Sequence, residues 1–162
     1  MRARLTRDPL TGARVVIAPG RAGRPGAFSL PAPLADIGEC PFCPGREHET
    51  PPESLALRPG TVAPDTPGWS VRVVPNRYPA VSAHGFGVHG AAAGIHEVII
   101  ETPGHLTRMA QFDQAAMASV LGVYFQRLEH LLEQPGIRRA LIFKNSGAQA
   151  GASLIHEHAQ AI

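Results

Sequence analysis

The stretch "LIHEHAQAI", residues 154–162, sets two histidines two apart, His156 and His158, with Gln160 two further on. On an extended strand, residues two apart point to the same side, so these three side chains and Ile162 would share one face. The two imidazoles would stand about 7 Å apart. Three chemistries fit: a pair of zinc ligands, a catalytic pair, or two surface histidines without a task, which is the commonest fate of an arbitrary His-x-His. Just upstream, "AQAGAS" supplies small side chains and free backbone amides that would let a phosphate approach closely. A histidine beside bound phosphate can be a nucleophile, because neutral imidazole attacks phosphorus well and leaves easily from the phosphoramidate. Its pKa near neutrality keeps it largely unprotonated without special help.

Cys40 and Cys43, in "CPFC", are the chain's two cysteines. Thiolates at that spacing can both reach one tetrahedral ion. The rival use is a redox pair, which wants a strand, loop and helix around it; here prolines follow, without a helical pattern. A metal would need two more ligands, and spacing cannot choose them from eight histidines.

These residues must be positioned by a chain of 162 residues, enough for one domain with a core. Glycine (17) and proline (16) gather before about residue 95, so the N-terminal region should be rich in loops. Residues 14–18 read as a strand closed by Pro19-Gly20, followed by a loop over 21–39. Further strands are expected over 70–74, 96–102, 139–145 and 154–162. Between 106 and 133 the period changes: Met117, Val120, Leu121, Tyr124, Leu128, Leu131 and Leu132 recur at threes and fours, the stripe of an amphipathic helix. Asp113 supplies an early-turn carboxylate, and Pro135-Gly136 ends the segment. Strands, one long helix, then strands make an α+β domain with a mainly antiparallel sheet.

Bulk properties exclude some partners. A net charge of +2 gives no case for nucleic acid. No apolar run is long enough to span a membrane, and "MRARLTRDPLTG" has no apolar stretch behind it to make a signal peptide. A cytoplasmic protein is expected. Arg2, Arg4, Arg7, Arg14, Arg21 and Arg24 face only Asp8 before Asp36, which suits either a solvated start or an arm that reaches phosphate.

Five stretches, "RLTRDPLTGARVVIAPGRAGRP", "CPFCPG", "VVPNRYPAV", "HEVIIETPGH" and "FKNSGAQAGASLIHEHAQ", resemble in order the N-terminal half of galactose-1-phosphate uridylyltransferases, within the histidine-triad superfamily. The resemblance spans nearly the whole chain. It implies a histidine-triad-like domain over residues 1–162 whose C-terminal half is absent, as in a truncated or fragmentary enzyme. It implies transfer of UMP between a UDP-hexose and a hexose 1-phosphate, with His158 as nucleophile. Histidine-triad hydrolases carry a third histidine where this chain has Gln160; an amide can hydrogen-bond a phosphoryl oxygen but cannot shuttle a proton, so transfer is favoured over hydrolysis.

The same resemblance implies a structural zinc ion on Cys40, Cys43, His105 and His156, leaving His48 and His96 as decoys and His84, His89 and His130 as loop or surface residues. It directs Arg21 and Arg24 at phosphates, places Asn76 near the nucleoside, and sets Asn145 and Ser153 around the transferred group. Its dimeric members send the arginine arm into the neighbouring subunit, so a homodimer is expected of the full-length form, with a nucleotide sugar and a sugar 1-phosphate as partners. Arg77 stands where well-known uridylyltransferases have an acidic residue, and "NRYPA" is more like the branch that includes ADP-glucose phosphorylases. An adenylyl-transferring enzyme is therefore the alternative, and an inactive zinc-binding fragment a further one. Glu157 replaces a proline of the better-known members and is expected to point off the active face with little effect.

Overall fold

The computed structural model describes residues 3–24, 40–85 and 90–162. Most of the loop expected over 21–39, with Asp36, and also Arg2 and His89, lie outside the described residues. In chain order the described elements are β1 (Arg4–Arg7), β2 (Arg14–Ile17), β3 (Leu55–Leu57), β4 (Val71–Pro75), β5 (Glu97–Ile100), α1 (Gln114–Glu133), β6 (Ile142–Phe143) and β7 (His158–Ala161). The α+β expectation holds.

β1 and β2 form an antiparallel hairpin of their own. Its turn follows from Asp8, whose carboxylate accepts the N–H groups of Leu10 and Thr11, and from Gly12, which takes φ +71°. Of the basic start, which the sequence left as either a solvated segment or a phosphate-reaching arm, Arg4, Arg7 and Arg14 lie on these paired strands. β3 is also absent from the sequence reading, since three residues beside Pro51-Pro52 carry too little pattern.

The main sheet runs β3-β4-β5-β7-β6, every neighbouring pair antiparallel. Its two faces follow from alternation. Val71, Val73, Ile99, Ala159 and Ala161 face α1 and pack on Val120, Val123 and Leu131. The small Ala159 and Ala161 allow the helix to lie close. α1 starts at Asp113, whose Oδ1 accepts the Ala116 N–H at 2.7 Å as an N-cap, and it stops before Gly136 at φ +84°.

The expected helix stripe is corrected in part. Leu121 and Leu132 are 42% and 51% exposed, while Arg127 is buried in the stripe. The reason is a carboxylate beneath it: Arg127 donates twice to Glu97, at 2.9 Å each. The helix is also shorter than the periodic segment, because residues 109–111 form a separate turn of 3₁₀ helix.

On the sheet's other face Val74, Val98 and Ile100 pack with Trp69 and Phe42. Register sets Gln160 beside Val98 and His158 beside Ile100, so both candidate site residues of β7 lie on this face.

Candidate active site

β7 is shorter than expected, and His156 precedes it. The Glu157 N–H goes to the carbonyl of Leu106, in the loop before α1, at 2.9 Å, which draws residue 156 away from the ladder. Its ring turns to the cysteine pair while its carbonyl faces His158. The single shared face expected for His156, His158 and Gln160 is therefore two positions: a candidate metal ligand at the strand's entrance and two side chains on the strand itself.

The cysteine turn is closed by Cys43 N–H to Cys40 O at 3.1 Å and Arg46 N–H to Cys43 O at 3.2 Å. Buried Glu47 fixes that turn, accepting Gly45 N–H at 2.9 Å and the Trp69 indole at 2.8 Å. His156 Nδ1 lies 3.6 Å from each sulfur, and His105 Nδ1 lies 3.2 Å from Cys43 Sγ. The four donor atoms all fall within 4.8 Å of one another, so this group could hold a metal ion. His156 Nε2 is 2.8 Å from the Thr102 carbonyl and must donate to it, which leaves Nδ1 as the lone pair facing the sulfurs. Burial pushes the Cys40 thiol up to about 11, the opposite of a reactive redox cysteine. His48, by contrast, is exposed beside Glu49 and outside the group.

His158 Nδ1 is 2.8 Å from the carbonyl of His156. A carbonyl only accepts, so Nδ1 carries the proton and Nε2 keeps its lone pair. Burial holds this imidazole below its ordinary pKa, hence neutral at pH 7. The Phe42 ring packs edge-on against it, with centroids 5.3 Å apart. His158 and Gln160 line a cavity of about 600 Å³ together with Arg21, Arg24, Asn76 and Ser153.

The arginines are held by backbone: Arg21 Nη1 donates to Tyr78 O at 2.6 Å and Arg24 Nη2 to Gly151 O at 3.4 Å. Arg77 and His48 stand at the same cavity. Asn145 is not among the lining residues; its side chain lies beside Gly151. The small-residue loop is less open than its composition suggests, because Gly147 O takes the N–H groups of Ala150 and Ala152.

Two features escaped the sequence. His96, set aside as a decoy ligand, is buried on the cavity side and bonded to Gln160, at 3.0 Å between Nε2 and Oε1. Alternation from Val98 and Ile100 could have placed it there. Glu157 does point off the active face, but it is buried and paired with Lys144, which also pairs with Glu101; Tyr124 donates to Glu101 as well. The chain's one lysine thus bridges two carboxylates on the far side of the strand that bears His158.

A sequence profile described as "Galactose-1-phosphate uridyl transferase, N-terminal domain" matches residues 3–162. The chain belongs to the galactose-1-phosphate uridyl transferase family. Among curated members, it is 34% identical to an ADP-glucose phosphorylase of Arabidopsis thaliana, over 96% of this chain and 47% of that protein. It is 29% identical to a galactose-1-phosphate uridylyltransferase of Streptomyces lividans, over 95% of this chain and 36% of that protein. The chain therefore spans less than half the length of these relatives. The crystal structure of an Arabidopsis thaliana ADP-glucose phosphorylase with bound ADP-glucose matches with a TM-score of 0.67 over 98% of this chain and 47% of the other, at 34% identity. A uridylyltransferase mutant structure gives the same TM-score over 99% of this chain and 44% of the other, at 25% identity. Among the described residues, no helix is long and apolar enough to cross a membrane.

Proposed function

We propose that the chain carries the nucleophilic half-site of a nucleotidyltransferase acting on a nucleotide sugar. The observation that carries this reading is the His158 Nδ1 bond to the His156 carbonyl, which leaves the lone pair on Nε2 of a neutral ring that lines the cavity. That lone pair attacks the α-phosphorus. A P–N bond forms, the P–O bond to sugar 1-phosphate breaks, and the released phosphate keeps the electron pair. No proton has to move: the ring becomes a substituted imidazolium whose charge is eased by Nδ1–H on the carbonyl. A phosphate oxygen of the acceptor then attacks the same phosphorus and regenerates His158. Gln160 donates to a phosphoryl oxygen throughout, and Arg21, Arg24 and Ser153 hold the phosphates. Asn145 stands behind the loop and would shape it.

The base is adenine in the form we favour, because the ADP-glucose phosphorylase is the more identical of the two relatives and Arg77 stands where well-known uridylyltransferases have an acidic residue. UDP-glucose is the competing donor. The full-length form would be a homodimer.

Cys40, Cys43, His105 and His156 would hold zinc. Sulfur at about 2.3 Å and nitrogen at about 2.05 Å from a tetrahedral ion stand about 3.6 Å apart. That matches His156 Nδ1 and both sulfurs, and the His105 edge at 3.2 Å is shorter. With four protein ligands the ion has no open position and is structural.

Intact-mass spectrometry tests the reading. After incubation with ADP-glucose or with UDP-glucose at mildly alkaline pH, the zinc-loaded protein should gain one nucleoside monophosphate, and His158→Ala should gain none. A folded, zinc-loaded protein that gains nothing from either donor would sink the proposal.

A further inference from the structure

An amide has two ends of nearly equal size and opposite hydrogen-bonding sense, so Gln160 can serve a phosphoryl oxygen only if its N–H end faces the cavity. What decides its orientation can be traced to two groups that cannot flip. The backbone N–H of Ala80 lies 2.9 Å from His96 Nδ1. A backbone amide only donates, so Nδ1 is the acceptor and the neutral ring carries its proton on Nε2. Burial supports the neutral form, drawing this imidazole down to about 4. Nε2–H then points at Gln160 Oε1, 3.0 Å away.

The second anchor is the N–H of Tyr78, which donates to Asn76 Oδ1 at 2.8 Å. This fixes Asn76 with its NH₂ end turned inward, where Nδ2 stands 3.4 Å from the same Gln160 Oε1. Asn76 is itself pinned, its backbone N–H donating to His96 O at 2.8 Å. Its 3.2 Å approach to His96 Nε2 is then a packing contact between two donors that converge on one oxygen. Both relays reach the same atom with the same sense. The carbonyl end of Gln160 is claimed, and its NH₂ end is left for the cavity that the side chain lines.

We infer that His96 is a positioning residue, which with Asn76 fixes the Gln160 carboxamide so that its N–H donor, and not its carbonyl, meets the transferred phosphoryl group. This deepens the function proposed above and rests on it. A reversed amide would set an oxygen lone pair against phosphoryl oxygen, repelling the charge that develops in transfer. Asn76, expected near the nucleoside, has both ends of its side chain engaged in this relay.

The test measures the rate of His158 adduct formation in the zinc-loaded chain over a range of ADP-glucose and UDP-glucose concentrations. In His96→Leu the saturating rate should fall about 10- to 100-fold, while the half-saturating concentration stays within about threefold. His96→Gln returns an N–H donor to the place of Nε2 and should restore most of the rate. In a Gln160→Ala background, His96→Leu should cost nothing more, since its effect passes through Gln160. Full speed in His96→Leu, losses that add, or no rescue by His96→Gln at equal stability would each overturn the inference. If the wild-type chain forms no adduct, the function itself fails and the orientation is judged separately by ¹⁵N–¹H spectra. His96 must then be protonated on Nε2, and the Gln160 NH₂ resonances must move when AMP or UMP is added. An Nδ1-protonated His96, or NH₂ resonances indifferent to both nucleotides, would overturn the inference.

Discussion

Arg127 is the buried charge whose removal should be felt most. It lies in the core-facing stripe of α1 and donates through Nε and Nη2 to both oxygens of Glu97, at 2.9 Å each, with the two side chains 6% and 4% exposed. Among the described residues, the one other hydrogen bond to that carboxylate comes from Ser54 Oγ, at 2.8 Å. Arg127→Met keeps most of the apolar volume but leaves a buried carboxylate with one neutral donor and no cation. Breaking a buried pair in this way costs about 3–5 kcal/mol. With a urea slope of about 2 kcal/mol per molar, the unfolding midpoint should fall by about 2 M. Trp69, the chain's one tryptophan and 3% exposed, reports the transition by fluorescence. Removing both charges, as Glu97→Leu with Arg127→Met, should return to within about 1 kcal/mol of wild type, since an apolar replacement has no orphan to desolvate. A loss under about 1 kcal/mol in the single variant, or a double variant as unstable as the single, would refute the reasoning.

Other outcomes are expected. Zinc content should drop in His105→Ala and hold in His48→Ala; loss in the second but not the first would reject the ligand assignment. Gln160→His should raise hydrolysis of the nucleotide sugar relative to transfer, by giving water a proton shuttle; product ratios equal to wild type would count against that role. His96 has a folded pKa below its unfolded one, so its stabilisation is present above pH 6.5 and lost as pH falls towards 4, by about 3 kcal/mol. His96→Gln should lack that component of acid loss in urea titrations at pH 7 and pH 4.5, and equal losses in both proteins would contradict it.

The parts of this molecule legible in the sequence were those with a strong period or a specific motif. The stripe through Val120 and Leu131 located α1, and "CPFC" with "HEHAQ" located the candidate metal group and nucleophile. Pairing partners were less visible. β1 and β3 depend on what they hydrogen-bond with, and their four and three residues hold no signal of their own. Buried charge was hidden for a related reason: Arg127, Glu97, Glu101 and Glu157 look like solvent-facing residues until the neutralising group arrives from a distant element. The hydrogen bond from His96 to Gln160 went unseen because histidines were weighed only as ligands.

The protons in this site answer to the main chain. His158 has its tautomer set by the carbonyl of His156 and His96 by the amide of Ala80, while the amide of Tyr78 sets which way the Asn76 carboxamide faces. No side-chain substitution at 156, 80 or 78 deletes those atoms, save proline at 78 or 80, which lacks the N–H. Drift at these positions can alter packing or metal affinity, yet the protonation pattern is inherited with the path of the backbone. A homologue that has changed all three residues but kept the fold would still present the same lone pair and the same amide donor. The memory of the chemistry is thus stored in the fold, where point mutation has little access to it.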